Sequence, residues 1–364
     1  MLASGESIHS ARWVQYFAQQ GHDVHWISLA PFTMPVPAGV QVYDVGGHTR
    51  WLGGVLRAIW RTKKLLRALA PDLLQIHSVG TYGLVGAATG FHPVVATPWG
   101  SDVLLATRSR LKRPFIRFVL RHADVLTCDA YHMRDAITKL GTNPSKVHVI
   151  FFGTDTGRFR SGLDATDIRI RFGVGKDVVI LSTRSLEPIY DIATLIRAMP
   201  RVLAEVPTTR CVIVGKGSER EALNILAREL GVAERVAFVG AVAGEEMPRV
   251  LAAADIYVST SLSDAGLASS TAEAMATQLP VVVSDSAENR MWVDDGVGGF
   301  VVPVRDPGAL AEKLVYLIRS PEERRRFGLH NRRIIEKRNN HTVEMGKIER
   351  LYREVSARAG VPPG

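Results

Sequence analysis

Apolar positions along this chain alternate between two periods. From Ser7 to Gln20, Ile8, Trp13 and Phe17 fall at helical spacing, and Gly21 closes the run. Asp23–Leu29 then reads as a strand, and a second helix runs from about Val55 to Leu69, ended by Pro71. Strand-like runs follow at Leu73–His77, Pro93–Thr97, Asp124–Cys128 and Lys146–Phe151, with helical segments between them. Strands alternating with helices predict an α/β fold whose parallel sheet is covered on both faces.

The loop-rich stretch Gly153–Lys176 interrupts this pattern and reads as a linker between residues 1–152 and 177–339. The alternation then restarts. Strands are expected at Val178–Thr183, Thr209–Val214, Arg235–Val239, Ile256–Ser259, Pro280–Ser284 and Phe300–Val304. Helices are expected at Ile192–Glu205, Glu219–Gly231, Glu245–Ala254 and Ser270–Thr277. The prediction is two doubly wound domains facing a cleft, with ligands at the carboxyl ends of the strands. Met345, Ile348, Leu351, Tyr352 and Val355 form a last apolar stripe, so residues 340–364 should be a helix that buries one face. Only Met1–Ala3 stand where a first central strand belongs, so either that strand is stunted or the true start lies upstream.

A chain of 364 residues, 46% hydrophobic and 22% charged, is globular and long enough for two cores. Its two cysteines, Cys128 and Cys211, exclude a disulfide scaffold or a zinc cluster and point to a reducing compartment, the cytoplasm. The longest run without charge, Leu73–Ser101, is broken by glycines and prolines and does not read as a membrane span. The net charge of +9 is uneven: residues 1–152 hold 16 Lys/Arg against 8 Asp/Glu, and the rest hold 29 against 28. An anionic membrane surface or nucleic acid would explain a basic half, but no nucleic-acid-reading module is recognisable.

The loops carry the chemistry. Gly215-Lys216-Gly217-Ser218 joins a strand to a helix; it suits either a phosphate near a helix start or a plain tight turn. Ser261–Ala276 places Asp264 in a small-residue loop, Ser269, Ser270 and Thr271 at a helix start, and Glu273 within the first turns. That start is a ready phosphate cradle, unless Ser269 is simply the helix cap. Arg184 ends an apolar strand, where its fork suits a diphosphate or an ion pair with Glu187.

Much of the chain resembles the retaining GT-B glycosyltransferases of family 4, the glycosyl transferases group 1. The similarity runs in order through Ser7-Ile-His9, Gly21-His22, Pro71–His77, Thr97-Pro-Trp-Gly-Ser-Asp102 and Ile150–Asp155. It continues through Arg184, Val214–Gly217, Glu273–Val283 and Asp295–Pro303. The resemblance implies a GT-B fold of two Rossmann-like domains, with the last helix crossing back to the first. It also implies transfer of a sugar from a nucleotide-diphosphate-sugar such as a UDP- or GDP-sugar, with retained configuration, no cofactor and no essential metal. No Asp-x-Asp triplet occurs. By the same resemblance Glu273 should bind the ribose hydroxyls. Arg184, Tyr190, Gly215, Lys216, Gly217 and Ser269–Thr271 should surround the diphosphate, and Gly5, Glu6, His77 and Trp99 the acceptor.

The chain departs from the family pattern in three places. The family's first glutamate position is Ala265, with Asp264 one residue early; its lysine after the arginine is absent, leaving Lys216; and Trp99 stands for a common histidine. His9, Asp102 and Asp264 remain as polar candidates beside the reacting carbon. The basic segments Arg50–Arg67 and Arg108–Arg121 suit an anionic membrane, and hence a peripheral enzyme with a lipid-linked or saccharide acceptor. A sugar-nucleotide epimerase or hydrolase on the same fold, or a basic nucleic-acid-binding protein, are the rival readings.

Overall fold

The structure is a computed structural model and describes residues 1–46, 52–104, 109, 111–264 and 266–360. The chain divides into two compact units: Met1–Phe151 with Glu344–Gly364, and Phe152–Val343. Arg50, Arg108, Arg110 and Ala265 lie outside the described residues.

The first unit holds strands β1 (His25–Ser28), β2 (Gln41–Asp44), β3 (Leu74–His77), β4 (Val94–Thr97), β5 (Val125–Cys128) and β6 (Val147–Val149). Its helices are α1 (Ile8–Gln19), α2 (Leu52–Leu69), α3 (Thr81–Ala88), α4 (Ser101–Leu104), α5 (Arg113–His122) and α6 (Tyr131–Lys139). β1 pairs with β2, and β3 to β6 pair in sequence, all parallel. The stunted central strand is present as a single rung. Leu2 bridges Ile27 on one side and Ile76 on the other and joins the two sheets. Leu2, Ile27 and Ile76 are buried with Val85 of α3, Ile116 and Val119 of α5 and Met133 of α6. A Cβ at Gly86 would strike Ile76, so glycine there lets α3 settle against β3.

The second unit holds β7 (Val178–Ser182), β8 (Thr209–Val214), β9 (Val236–Gly240), β10 (Ile256–Ser259), β11 (Val281–Ser284) and β12 (Gly299–Val302), parallel in the order β12-β11-β10-β7-β8-β9. Its helices are α7 (Thr166–Arg171), α8 (Ile192–Glu205), α9 (Arg220–Glu229), α10 (Met247–Ala252), α11 (Ser269–Ala276), α12 (Asn289–Trp292), α13 (Pro307–Arg319) and α14 (Pro321–Arg338). Successive strand residues point to opposite faces, so Ile180 and Ile213 join one core with α8 and α13, while Leu181 and Val212 join another with α11. The strand order reverses between β7 and β10, which is where ligand loops of such a sheet diverge.

The sequence reading is corrected at one segment, incomplete at one strand and met at the last helix. The stretch 153–176 is not a free linker: Phe159, Ala165, Ile168 and Val174 are buried in the second unit's core, and α7 lies inside it. Strand β2 went unforeseen because its residues are largely exposed and lack an apolar run. The chain returns to the first unit at Glu344, where α15 (His341–Arg358) buries Met345, Ile348, Leu351 and Val355. There the Tyr352 hydroxyl donates to Gln75 Oε1 at 2.6 Å and accepts from Trp13 Nε1 at 3.1 Å, so the crossing helix is tied to α1 and β3. Among the described residues, no helix is long and apolar enough to cross a membrane.

Candidate functional site

At the reversal point of the second unit, β7 delivers Arg184 and β10 delivers the loop 260–268. The two loops are stitched together. Leu262 N–H donates to Ile189 O at 2.8 Å, and Thr260 Oγ1 donates to Tyr190 O at 3.1 Å. Arg184 is only 8% exposed. One guanidinium nitrogen donates to Asp264 Oδ1 at 2.5 Å and another to Ser270 Oγ at 3.1 Å, while Tyr190 lies 4.2 Å beneath the guanidinium carbon. Arg184 Nε and Asp264 Oδ2 are buried with no hydrogen-bond partner. Buried charged groups with unsatisfied atoms are costly, and an anion bearing several acceptor oxygens would satisfy Nε.

Helix α11 begins beside this arginine. Its cap position is Ala268, without a side-chain cap hydrogen bond, so Ser269 is the first helical residue and not the cap. Ser269 is exposed, Ser270 faces Arg184 and Thr271 is buried. Glu273 follows one turn along, half-buried. An uncapped helix start offers backbone N–H groups and the positive end of the helix dipole to an anion.

Glu187 does not pair with Arg184. It accepts from the N–H and Oγ of Ser218, at 3.0 and 2.6 Å, and these bonds hold its carboxyl below the usual range. The glycines of the 215–217 loop have a structural reason. A Cβ at Gly215 would lie 2.5 Å from Arg184 O, and one at Gly217 would strike the Leu186 carbonyl. Leu186 N–H donates to Lys216 O at 2.9 Å, so this loop braces the segment that carries Arg184 and leaves the Lys216 side chain exposed.

In the first unit the ends of the Leu2 segment, β3 and β4 gather a second group. Gly5 N–H donates to Ser28 Oγ at 2.9 Å, and Glu6 is exposed. His9 lies against Trp99 at 5.2 Å between ring centroids, and His77 contacts Trp99 at 5.0 Å and Trp13 at 4.8 Å, both edge-to-face. Burial, then the Arg12 charge, lowers the His9 pKa. His77 is lowered to about 3 by burial first, then by the N-terminal amine and His9. Both imidazoles are therefore held toward the neutral form.

Two of the expected roles change here. His77 is 2% exposed beneath two indoles and supports the Trp99 loop instead of meeting an acceptor directly. Asp102 uses both oxygens on backbone: Oδ1 accepts from Trp99 N–H at 2.9 Å and Oδ2 from Val79 N–H at 2.8 Å. A carboxylate so engaged clamps two loops and is poorly placed to move a proton.

Residues 164–333 match the family model of glycosyl transferases group 1, and residues 1–130 match that of glycosyl transferase 4-like proteins. The GDP-mannose-dependent alpha-(1-6)-phosphatidylinositol monomannoside mannosyltransferase of Mycolicibacterium smegmatis is 30% identical over 261 residues, covering 69% of this chain and 67% of that protein. The chain belongs to the group 1 glycosyltransferases.

A D-inositol 3-phosphate glycosyltransferase of Nocardioides is 32% identical over 54% of this glycosyltransferase and 46% of its own length. The chain thus spans about half to two thirds of the curated relatives it matches. Anabaena HepE, solved in complex with UDP, superposes with a TM-score of 0.81 at 18% identity, covering 97% of this chain and 98% of that one. The expected GT-B architecture is therefore present.

Two residues that contact the candidate site were not legible from the pattern of this glycosyltransferase. Ser28 ends β1 and holds Gly5; its position at a strand's carboxyl end was the available signal. Tyr257, fully buried in β10 with its hydroxyl 3.5 Å from Thr183 Oγ1, read only as an apolar strand residue.

Proposed function

We propose that this protein transfers a sugar from a nucleotide-diphosphate-sugar to an acceptor with retention of configuration. The observation that carries the reading is Arg184, buried at the reversal point with one nitrogen unsatisfied and facing an uncapped helix start. A diphosphate placed there takes up Arg184 Nε and the N–H groups of α11. These donors stabilise the negative charge that grows on the departing nucleotide, which is the main electrostatic task of the site. Tyr190 fixes the guanidinium plane from below, and Glu273 accepts from the ribose hydroxyls. Lys216 adds positive charge at the edge. Charge neutralisation by Arg184 and the helix start leaves no step that requires a metal.

Of the three polar candidates beside the reacting carbon, Asp264 is held by Arg184 and Asp102 is a loop clamp. His9, half-buried against Trp99 and with its pKa lowered by burial and then by the Arg12 charge, is the one best able to accept or share a proton. Gly5, Glu6 and Trp99 would meet the acceptor. A lipid-linked acceptor is supported by the relative named as a phosphatidylinositol monomannoside mannosyltransferase.

The test is a thermal-shift screen of UDP- and GDP-sugars, followed by transfer assays with the stabilising donor. A specific donor should raise the melting temperature by mass action, and the product should keep the donor's anomeric configuration. Failure of every nucleotide sugar to stabilise the protein would overturn the reading. Release of nucleotide with free sugar or an epimer, and no acceptor product, would favour the hydrolase or epimerase.

A further inference from the structure

Helices α2 and α5 present apolar side chains to solvent in ordered stripes. On α2, Leu52, Leu56 and Trp60 are 85%, 65% and 63% exposed and stand four residues apart, on one line of the helix. Leading into and along α5, Leu111, Phe115 and Phe118 are exposed at steps of four and three. Neither helix needs these residues for the core: α2 buries Ala58, Thr62 and Leu66, and α5 buries Ile116, Val119 and Leu120. Both helices pack on α3, which lies between them.

The flanking charge has one sign. Arg57, Arg61, Lys64 and Arg67 are exposed on α2, and Lys112, Arg113 and Arg121 are exposed beside or on α5. Neither helix contains an Asp or Glu. Lys64 lies 5.6 Å over the Trp60 ring, with its ammonium beside the aromatic group.

We propose that the α2–α3–α5 layer docks on an anionic lipid bilayer, with Leu52, Leu56, Trp60, Leu111, Phe115 and Phe118 entering the headgroup region and the Lys/Arg residues contacting lipid phosphates. Separated apolar stripes with diffuse positive charge match a fluid surface that supplies both hydrocarbon and dispersed negative charge. A second copy of this chain is disfavoured as the occupant, because a two-fold contact would set one acid-free basic face against another. The inference does not depend on the sugar-transfer reading, and its readout is binding.

The full-length protein is co-sedimented with phosphatidylcholine vesicles, with and without phosphatidylglycerol, over a range of salt. Binding should require the anionic lipid and weaken as salt rises. Leu56→Ser with Trp60→Ser should cut partitioning by about tenfold or more at any salt. Arg57→Ser with Arg61→Ser and Lys64→Ser should remove the preference for anionic lipid. Phe115→Ser, on the other helix, repeats the apolar test should the first variant lose its fold. Absence of binding at low salt, or binding unchanged by the apolar substitutions, overturns the proposal. A concentration-dependent dimer that dissociates with Trp60→Ser would also overturn it and assign the face to a second copy.

Discussion

Arg184 and Asp264 form a buried ion pair that leaves atoms to spare: one guanidinium nitrogen donates to Oδ1 at 2.5 Å, while Arg184 Nε and Asp264 Oδ2 have no partner. The side chains are 9% and 13% exposed. A pair with ideal, fully used geometry would be structural. A pair with unsatisfied atoms on both members, beside the first turn of α11, fits the proposed role of Arg184 toward an anion.

Replacing Arg184 by Ala should therefore weaken binding of nucleoside diphosphates by about 10- to 100-fold, the value of a charge-assisted contact of about 1.5–3 kcal/mol. Stability should also fall, because Asp264 is left buried without its cation. Calorimetric titration on folded variant protein checks this; unchanged affinity would remove Arg184 from the site.

Glu273 offers a graded test. If its carboxylate accepts from ribose hydroxyls, Glu273→Gln keeps an acceptor oxygen and should lose less donor affinity than Glu273→Ala, which leaves the hydroxyls unpaired at a cost of about 1–3 kcal/mol. Equal, negligible effects of the two changes on affinity would mean that the residue serves only the helix.

What the sequence disclosed depended on how directly each residue's chemistry was tied to its strand. Arg184 was legible because a charge at the end of the apolar run Val178–Ser182 needs a reason. Its partner was not: the sequence offered Glu187, and only the folded loops show Glu187 taken by Ser218 and Arg184 paired with Asp264. Gly215 and Gly217 suggested room for a ligand, yet their lack of Cβ makes room for the Arg184–Leu186 backbone. His77 sits at a strand's carboxyl end as expected, but Trp13 and Trp99 come from distant segments to cover it. The glycines of 153–176 suggested a linker, whereas Phe159, Ile168 and Val174 anchor it at spacings no single period describes.

Transfer should survive chelation. On the proposed reading, Arg184 and the N–H groups at the start of α11 would provide the positive charge that a divalent cation would otherwise bring to a departing diphosphate. Assays after EDTA treatment should retain activity, and a loss reversed by magnesium or manganese would refute this account of the site.

Tyr352 fastens the returning helix. Tyr352→Phe keeps the ring stacked on Phe17, 5.0 Å between centroids, but removes the donor to Gln75 Oε1, which is buried. An unsatisfied buried acceptor costs about 1–3 kcal/mol. Urea unfolding should show a loss of that size; a change within error would mean the helix is held by its apolar stripe alone.

His77 should make stability depend on pH in a definite direction. Its folded pKa is lowered to about 3, chiefly by burial, with the N-terminal amine and His9 adding positive charge nearby. In the unfolded chain a histidine titrates near 6.5. Between those values the unfolded state binds a proton that the folded state refuses, so stability falls as pH drops below about 6.5, by up to about 1.4 kcal/mol per pH unit. Above pH 7 the residue contributes no slope. His9 is lowered too and adds in the same sense, while native carboxylates held below their usual range, such as Glu187, enter only at more acid pH. The interval from pH 6.5 to 5 thus avoids those carboxylates, but it includes the N-terminal amine, which burial lowers to about 5 and which adds in the same sense, so the histidine share is read from the variants. His77→Phe should flatten the stability profile there, whatever it does to stability at neutral pH, and His9→Phe should remove part of the remaining slope. Denaturant unfolding of the three proteins at pH 6.5, 5.75 and 5.0 measures it; a wild-type slope kept intact by His77→Phe would mean that the buried imidazole is not held neutral.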